Sequence, residues 1–220
     1  SQPSSVGAAS LPPGYRPEAR ILSPIAGEGF GEKVVIRYEA TDRNDAEGPA
    51  NFGLGSDAVA LWFSSDGGLN WQPLARGLTP AGTHDWNTKD IPEGEYVLKI
   101  QAEDRSGEYA EATSSIFFID RSGPTFDVSV EPPYAKKENI IITIEANEPR
   151  LQSPDVLVHQ RNYTDIAVFA SGASTTWRGE YEVRSGADGT AKISVSGKDL
   201  AGNVGTVIQR GGFFNVGLKP

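Results

Sequence analysis

The sequence predicts an all-β protein built from two tandem β-sandwiches, and three observations predict it. The 220 residues include 25 Gly and 15 Pro, which suits many short strands joined by turns. Short apolar or alternating runs follow one another along the chain, and no stretch has a sustained helical period. The chain also repeats itself after roughly 100 residues, the size of one sandwich domain.

Strand candidates occur in both halves, each bounded by turn-forming residues. In the first half they are 34–38, 58–63, 96–100 and 115–119, and in the second half 139–145, 156–158, 165–169, 191–195 and 212–216. The stretch 1–17 is rich in Ser, Pro, Ala and Gly and has no apolar period. It therefore predicts a flexible linker ahead of the first domain.

The internal repeat has two offsets. The tetrapeptide that starts at Asp104 recurs at Asp199, an offset of 95, whereas segment 36–40 aligns with 142–146 at an offset of 106. The first half thus carries about eleven more residues than the second, the difference between these offsets. The repeat predicts one domain over 18–122 and another over 123–220, divided where Ser-Gly-Pro interrupts strand pairing.

Two phrases carry a resemblance to a known family: EYVLKIQAEDRSG at 95–107 and ISVSGKDLAGN at 193–203. They are similar to the strand–turn ending of bacterial immunoglobulin-like and fibronectin type III-like modules, and the resemblance covers about 20–217. It implies tandem immunoglobulin-like sandwiches from a secreted or cell-surface bacterial protein. Modules of this fold serve many roles, so the resemblance implies far less about function.

The phrase SSDGGLNW at 64–71 resembles the Asp-box of sialidases and other β-propellers. A propeller needs several blades, and the chain has one copy. Asp66 can accept hydrogen bonds from turn amides, and the two glycines permit positive φ. Trp71 can fold inward over the turn. The phrase therefore predicts a structural hairpin rather than an active site.

Composition and motifs argue against several classes of function. Twenty basic and twenty-nine acidic residues give a net charge of −9, whereas a protein that binds nucleic acid is expected to carry a positive net charge. The absence of Cys excludes disulfides and thiolate chemistry. His84 and His159 lie in different halves, with no HExxH or GxSxG spacing, so we expect no enzyme. The apolar runs are far shorter than the ~20 residues of a transmembrane segment, and none is expected.

The tryptophans bear on sugar binding, because exposed coplanar aromatics stack on sugar faces. Trp62, Trp71 and Trp86 lie in strand-like phrases and are expected to be buried. Trp177 is less clearly patterned, although a core position is favoured there too. A carbohydrate-binding role therefore remains an alternative.

We assign the extra length of the first half to segment 41–57, between the second and third strands. In a sandwich of this topology that loop shares an end with the turn at 103–108. Hard cations prefer six to eight oxygen ligands. The candidate calcium ligands are Asp42, Asn44, Asp45, Glu47, Asp57 and Asp104, with Glu103 beside them.

A second explanation of these acidic residues needs no calcium ion. The Asp-x-Asn-Asp phrase of this loop resembles one in calcium-binding cadherin repeats, where it lies in the interdomain linker. Here the linker at 119–124 has a different sequence, IDRSGP. A solvated acidic loop fastened by Asx-turns explains the same residues without an ion.

These observations predict a non-catalytic extracellular module, a spacer, stalk or adhesion repeat of a larger bacterial surface or secreted protein. The alternative is a carbohydrate-binding or accessory module of a secreted hydrolase. Expected partners are other domains of the same protein, a cell-surface protein or a glycan. The expected location is extracellular or at the cell surface, with the periplasm also open.

Overall fold

In the computed structural model of the chain, the described residues are 15–47, 52–148, 152–186 and 188–217. They form twenty strands and one short helix, which confirms the all-β class. In chain order the elements are β1 (Glu18–Ser23), β2 (Gly29–Phe30), β3 (Lys33–Thr41), α1 (Arg43–Glu47), β4 (Leu54–Ser64), β5 (Gln72–Leu78), β6 (Ala81–Asn87), β7 (Gly94–Asp104), β8 (Tyr109–Thr113), β9 (Phe117–Ile119), β10 (Thr125–Glu131), β11 (Tyr134–Ala135), β12 (Asn139–Ala146), β13 (Asp155–His159), β14 (Ile166–Val168), β15 (Ser171–Ala173), β16 (Thr176–Glu182), β17 (Gly189–Lys198), β18 (Val204–Gly205), β19 (Val207–Gly211) and β20 (Phe213–Val216).

The described residues divide into two compact units. Unit 1 contains the described residues up to Glu28 together with Glu32–Ile119, and unit 2 contains Gly29–Gly31 and the described residues from Asp120 onward. Most of the predicted linker 1–17 lies outside the described residues, and 15–17 form neither strand nor helix. No helix among the described residues has the length and apolar character that crossing a membrane requires.

We expect segments 18–122 and 123–220 to fold separately, because each carries its own set of buried apolar side chains. The measurement is the amide NMR spectrum of each segment expressed alone. Dispersed amide shifts are the expected result for both. A collapsed, random-coil spectrum from either piece would contradict the predicted boundary, which stays a prediction until then.

Unit 1 is a sandwich of two sheets. One has the antiparallel order β1-β3-β6, and the other runs β9-β7-β4-β5 with β8 also paired to β7. Strand β3 alternates, with Val34, Ile36 and Tyr38 buried between more exposed neighbours. The rings of Phe63 on β4 and Trp86 on β6 lie 4.7 Å apart between centroids. The core of unit 1 therefore lies between its two sheets.

Unit 2 also contains two sheets around one core. Their orders are β15-β16-β12-β10-β19 and β11-β20-β17-β13-β14, with β18 paired to β17. The pairs β10–β19 and β11–β20 are parallel, and the others are antiparallel. Strand β12 turns its isoleucines at 140, 142 and 144 into the core, where Trp177 is 2% exposed. Burial of Trp177 confirms the favoured expectation for it.

Two tryptophan predictions are wrong. Trp62 and Trp71 are half-buried and lie outside the core, whereas Trp86 is buried as expected. Strand alternation explains Trp62, because Leu61 and Phe63 on either side point inward and leave Trp62 on the outer face. The ammonium of Lys99 lies 5.0 Å from the Trp62 ring centroid and 5.1 Å from that of Trp71.

The phrase SSDGGLNW forms the connection between β4 and β5. The Ser64 hydroxyl donates to Asp66 Oδ1 at 2.6 Å and accepts from the Gly68 amide at 2.9 Å. Asn70 donates its amide to Asp66 Oδ1 at 2.9 Å. Hydrogen bonds from Ser64 and then Asn70 lower the pKa of Asp66 to about 2. The phrase therefore forms a turn that is held by its own side-chain hydrogen bonds, with Trp71 packed over Gly68.

Replacing Ser64 by alanine should destabilise unit 1 by about 1–3 kcal/mol, because the Gly68 amide loses its acceptor beside a buried position. Urea unfolding followed by circular dichroism measures the loss. Exposed Ser65, changed to alanine, is the matched control and should shift stability by less than about 0.5 kcal/mol. Equal stabilities of the two variants would show that the turn does not depend on this hydroxyl.

Candidate metal centre

Asp42 links strand β3 to helix α1 and caps that helix. Its Oδ1 accepts a hydrogen bond from the Asn44 amide at 2.7 Å, and its carbonyl accepts from the Asp45 amide at 3.1 Å. Asp42 is 6% exposed and Asn44 is 3% exposed. The helix was absent from the sequence prediction, since five residues are too few to show a helical period.

The chain returns to β4 against the same helix. Asp45 Oδ1 accepts from the Leu54 amide at 3.0 Å, and the Asn44 side-chain amide donates to the Phe52 carbonyl at 3.3 Å. A Cβ at position 53 would lie 2.0 Å from Asp45 Oδ1, so any other residue there would displace this carboxylate. These contacts tie the acidic segment to the start of β4.

Asp104 comes from a distant part of the sequence and ends strand β7. It pairs in register with Leu54, which brings the β7–β8 turn beside the acidic segment. Its Oδ1 accepts from the Ser106 amide at 2.8 Å, the Ser106 hydroxyl at 2.7 Å and the Glu108 amide at 2.9 Å. One oxygen of Asp104 is therefore fully used by its own turn.

The second carboxylate oxygen of each residue, Oδ2 of Asp42 and Oδ2 of Asp104, has no hydrogen-bond donor within the described part of the chain. Both Oδ2 atoms are buried and accept no hydrogen bond from any described residue. Burial raises the pKa of Asp42, the charges of Asp104 and Asp45 raise it further, and the Asn44 amide acts in the opposite direction. The structure thus brings several carboxylates together and leaves two of their oxygens without donors.

The other predicted ligands are placed less centrally. Asp57 is exposed on β4 and lines, with Asp104, a cleft of about 330 Å³. Glu103 lines the same cleft. Glu47 is the last residue of α1, and its side chain lies outside the described part. The assignment of calcium to the full six-residue set stays a prediction.

Unit 2 holds an acidic group that the sequence analysis missed. Carboxylate oxygens of Asp120, Glu148 and Asp199 lie within 4.8 Å of one another. At the repeat offset of 106, Glu148 corresponds to Asp42, so the internal repeat could have indicated this acidic group. Burial, then Asp120 and Asp199, raise the pKa of Glu148. Both Asp199 oxygens accept bonds from Asn203, each at 2.8 Å, so this buried carboxylate is satisfied by protein.

A Ser–His–Asp array on unit 2 was also missed. His159 Nε2 lies 2.5 Å from Ser194 Oγ, and His159 Nδ1 lies 2.8 Å from Asp165 Oδ1. The register of β13 and β17 brings Ser194 beside His159 from a position 35 residues away. No local motif marks such a cross-strand arrangement. Ser194 and Asp165 are both exposed.

The raised pKa of Asp42 predicts a pH-dependent effect of Asp42→Asn in chelator. As pH rises above 3.8, the ordinary value, the unfolded chain releases this proton before the folded chain does. Ionisation of Asp42 therefore costs the native protein stability that is fully lost above its folded pKa. The variant should be more stable than the native protein at pH 7, and the gap should close below about pH 4.

Thermal melts of both proteins in chelator, from pH 3.5 to 7, measure this difference. Asp90→Asn removes one exposed charge elsewhere in unit 1 and is the matched control. A native protein that is the more stable of the two at pH 7 in chelator would contradict the sign of the shift.

Comparisons with known proteins show similarity in structure only. No family profile matches the chain, and no curated protein resembles it in sequence. A solved structure of a 1.5-MDa bacterial ice-binding adhesin is 13% identical with a TM-score of 0.41, covering 93% of this chain and 66% of that chain. Dimeric latent PorU from Porphyromonas gingivalis is 15% identical with a TM-score of 0.32, covering 94% and 21%. The chain spans less than two thirds of either.

Proposed function

We propose that the chain is a non-catalytic extracellular module, a spacer or interaction segment of a larger bacterial surface or secreted protein. The observation that carries this proposal is that the described residues divide into two compact units, each built from two sheets around a core. Repeated β-sandwiches extend a protein and present other domains without needing a reactive site of their own. The other domains of the same protein are the partners this role requires.

The repetition extends to individual hydrogen bonds. Asp104 accepts from the amide four residues on, Glu108, and Asp199 accepts in the same way from Asn203. In each turn the aspartate amide also donates back to the carbonyl of that same residue, at 2.9 Å and 3.1 Å. Two turns at an offset of 95 residues thus use one local design. This shared turn supports the proposal that the two units are related modules.

The Ser–His–Asp array does not change the proposal. A hydrolase of this kind also needs amide donors aimed at the developing oxyanion. Ser194 lies within a paired strand, and the preceding amide, that of Ile193, donates to the Gly212 carbonyl at 2.8 Å. The test is hydrolysis of p-nitrophenyl acetate by the native protein and by Ser194→Ala. Turnover lost specifically in the variant would overturn the non-catalytic assignment.

Single-molecule pulling tests the spacer role directly. Two independent modules should give two unfolding events, each releasing about 100 residues and hence about 330–360 Å of chain. A single event releasing the whole length would contradict a modular spacer. The measurement uses the full chain between flanking handles.

A glycan-binding role is the second candidate, and the position of Trp62 favours it. Trp62 lies on an outer face and lines the 330 Å³ cleft with Arg76, Gln101 and Glu103. An aromatic ring beside polar side chains is a common arrangement for sugars. A sugar that stacks on this ring would compete with Lys99 and Arg76, whose charged groups lie 5.0 and 5.7 Å from the Trp62 ring centroid. Binding on a glycan array that Trp62→Ala abolishes would support this role over a passive spacer.

A further inference from the structure

Unit 1 contains two buried carboxylates in which one oxygen accepts hydrogen bonds and the other accepts none from the described part of the chain. Asp42 is 6% exposed and Asp104 is 5% exposed, and the Oδ2 atom of each accepts nothing from the described residues. An ionised carboxylate without partners is costly to bury, so a folded protein normally supplies a donor, a proton or a cation.

The surrounding backbone fixes these oxygens in place. The Asn44 amide holds Asp42 Oδ1, and the amides of Ser106 and Glu108 hold Asp104 Oδ1. Because each carboxylate is anchored through one oxygen, the direction of the other is set before any ligand arrives. Preorganised oxygens of this kind lower the ordering cost of binding an ion.

We propose that Oδ2 of Asp42 and Oδ2 of Asp104 are ligands of a calcium ion in unit 1. Asp45 adds a third negative charge near Asp42 and is held to the same segment through Leu54. The two ligand oxygens come from the junction between β3 and α1 and from the end of β7. All-oxygen ligands of this kind suit calcium, whose coordination is flexible, better than magnesium, which demands a strict octahedron. The chain has no Cys, so a thiolate site for a softer metal is absent. The inference is independent of the proposed spacer role.

The unit 2 group does not carry the same inference. Asp199 is buried there, and Asn203 satisfies both of its oxygens. Unit 2 therefore provides an internal comparison in one protein. Calcium should act on unit 1, where buried oxygens lack donors.

The test uses the full chain, CaCl₂ and a chelator. Extracellular calcium modules bind with Kd of about 10⁻⁴–10⁻³ M, so 10 mM calcium exceeds Kd by about ten- to a hundredfold. Ligand binding to the folded form should then raise the folding equilibrium constant of unit 1 by about the same factor. Differential scanning calorimetry should show a rise of roughly 5–20 °C in the Tm of one transition.

Asp42→Asn combined with Asp104→Asn should abolish this rise, and titration calorimetry should lose one calcium per chain. Asparagine keeps an Oδ1 acceptor for the anchoring amides, so the variant should fold. Asp42→Asn alone should be more stable than the native protein in chelator and less stable in calcium. Asp90→Asn, which removes a charge elsewhere in unit 1, should leave the calcium response unchanged.

Two results would overturn the proposal. The first is an unchanged native Tm between chelator and 10 mM calcium at pH 7.5. The second is undiminished binding by the double variant, and loss of that binding in Glu148→Gln would then place the ion in unit 2. Neither of these affects the pulling experiment, so the spacer proposal stands or falls separately.

Discussion

Replacing Trp177 by alanine is expected to destabilise unit 2 by about 3–5 kcal/mol, the range for removing a large buried aromatic. Trp177 is 2% exposed and pairs across β12 and β16 with Ile144, itself fully buried. Its removal leaves a cavity among rigid strands that cannot collapse fully. Since domains are stable by only about 5–15 kcal/mol, a large part of that margin would be lost.

Urea unfolding followed by circular dichroism measures the effect on the full chain. Trp62→Ala is the matched control, because it removes the same side chain from a half-buried outer position on β4. It should cost less than half as much. Similar losses for the two variants would mean that Trp177 is not the better packed residue.

The sequence predicted the edge strand β14 but missed the interior strands β10 and β16, so a central position did not by itself make a strand predictable. Strands β3, β7, β12 and β17 alternate between buried and more exposed side chains, and each contains a predicted segment. Strand β6 was indicated only by the strand-like phrase around Trp86, which is its one buried side chain. Such a strand is held by backbone pairing to β3, and pairing leaves little trace in hydrophobicity.

The sequence predicted which residues of the candidate site lie near one another, but not which of their oxygen atoms could bind an ion. Loop lengths and the shared end of a sandwich suffice to place Asp42 near Asp104. Which oxygen of each carboxylate is satisfied depends on the local backbone, here on amides two and four residues further along the chain. The same limit hid the contact between His159 and Ser194, which depends on one strand register. A shift of one residue would have separated them.

Replacing Gly211 by alanine should also destabilise unit 2 strongly, by more than about 3 kcal/mol, for two independent reasons. Gly211 has φ of +77°, a backbone conformation that alanine adopts at a cost. A Cβ at this position would also lie 1.7 Å from the Val128 carbonyl oxygen. Val128 is the register partner of Gly211 in the parallel pairing of β10 with β19, so the overlap has to be relieved by moving a strand.

Gly186→Ala separates the two causes. Gly186 has φ of +87°, and an added Cβ there meets nothing within 4 Å, so this variant carries the conformational cost alone, about 1–2 kcal/mol. The difference between the two losses measures the steric cost of separating β10 from β19. Amide hydrogen exchange should show that extra loss as faster exchange along β10 and β19 in Gly211→Ala. Equal stabilities and equal exchange in the two variants would mean that backbone conformation alone requires glycine at 211.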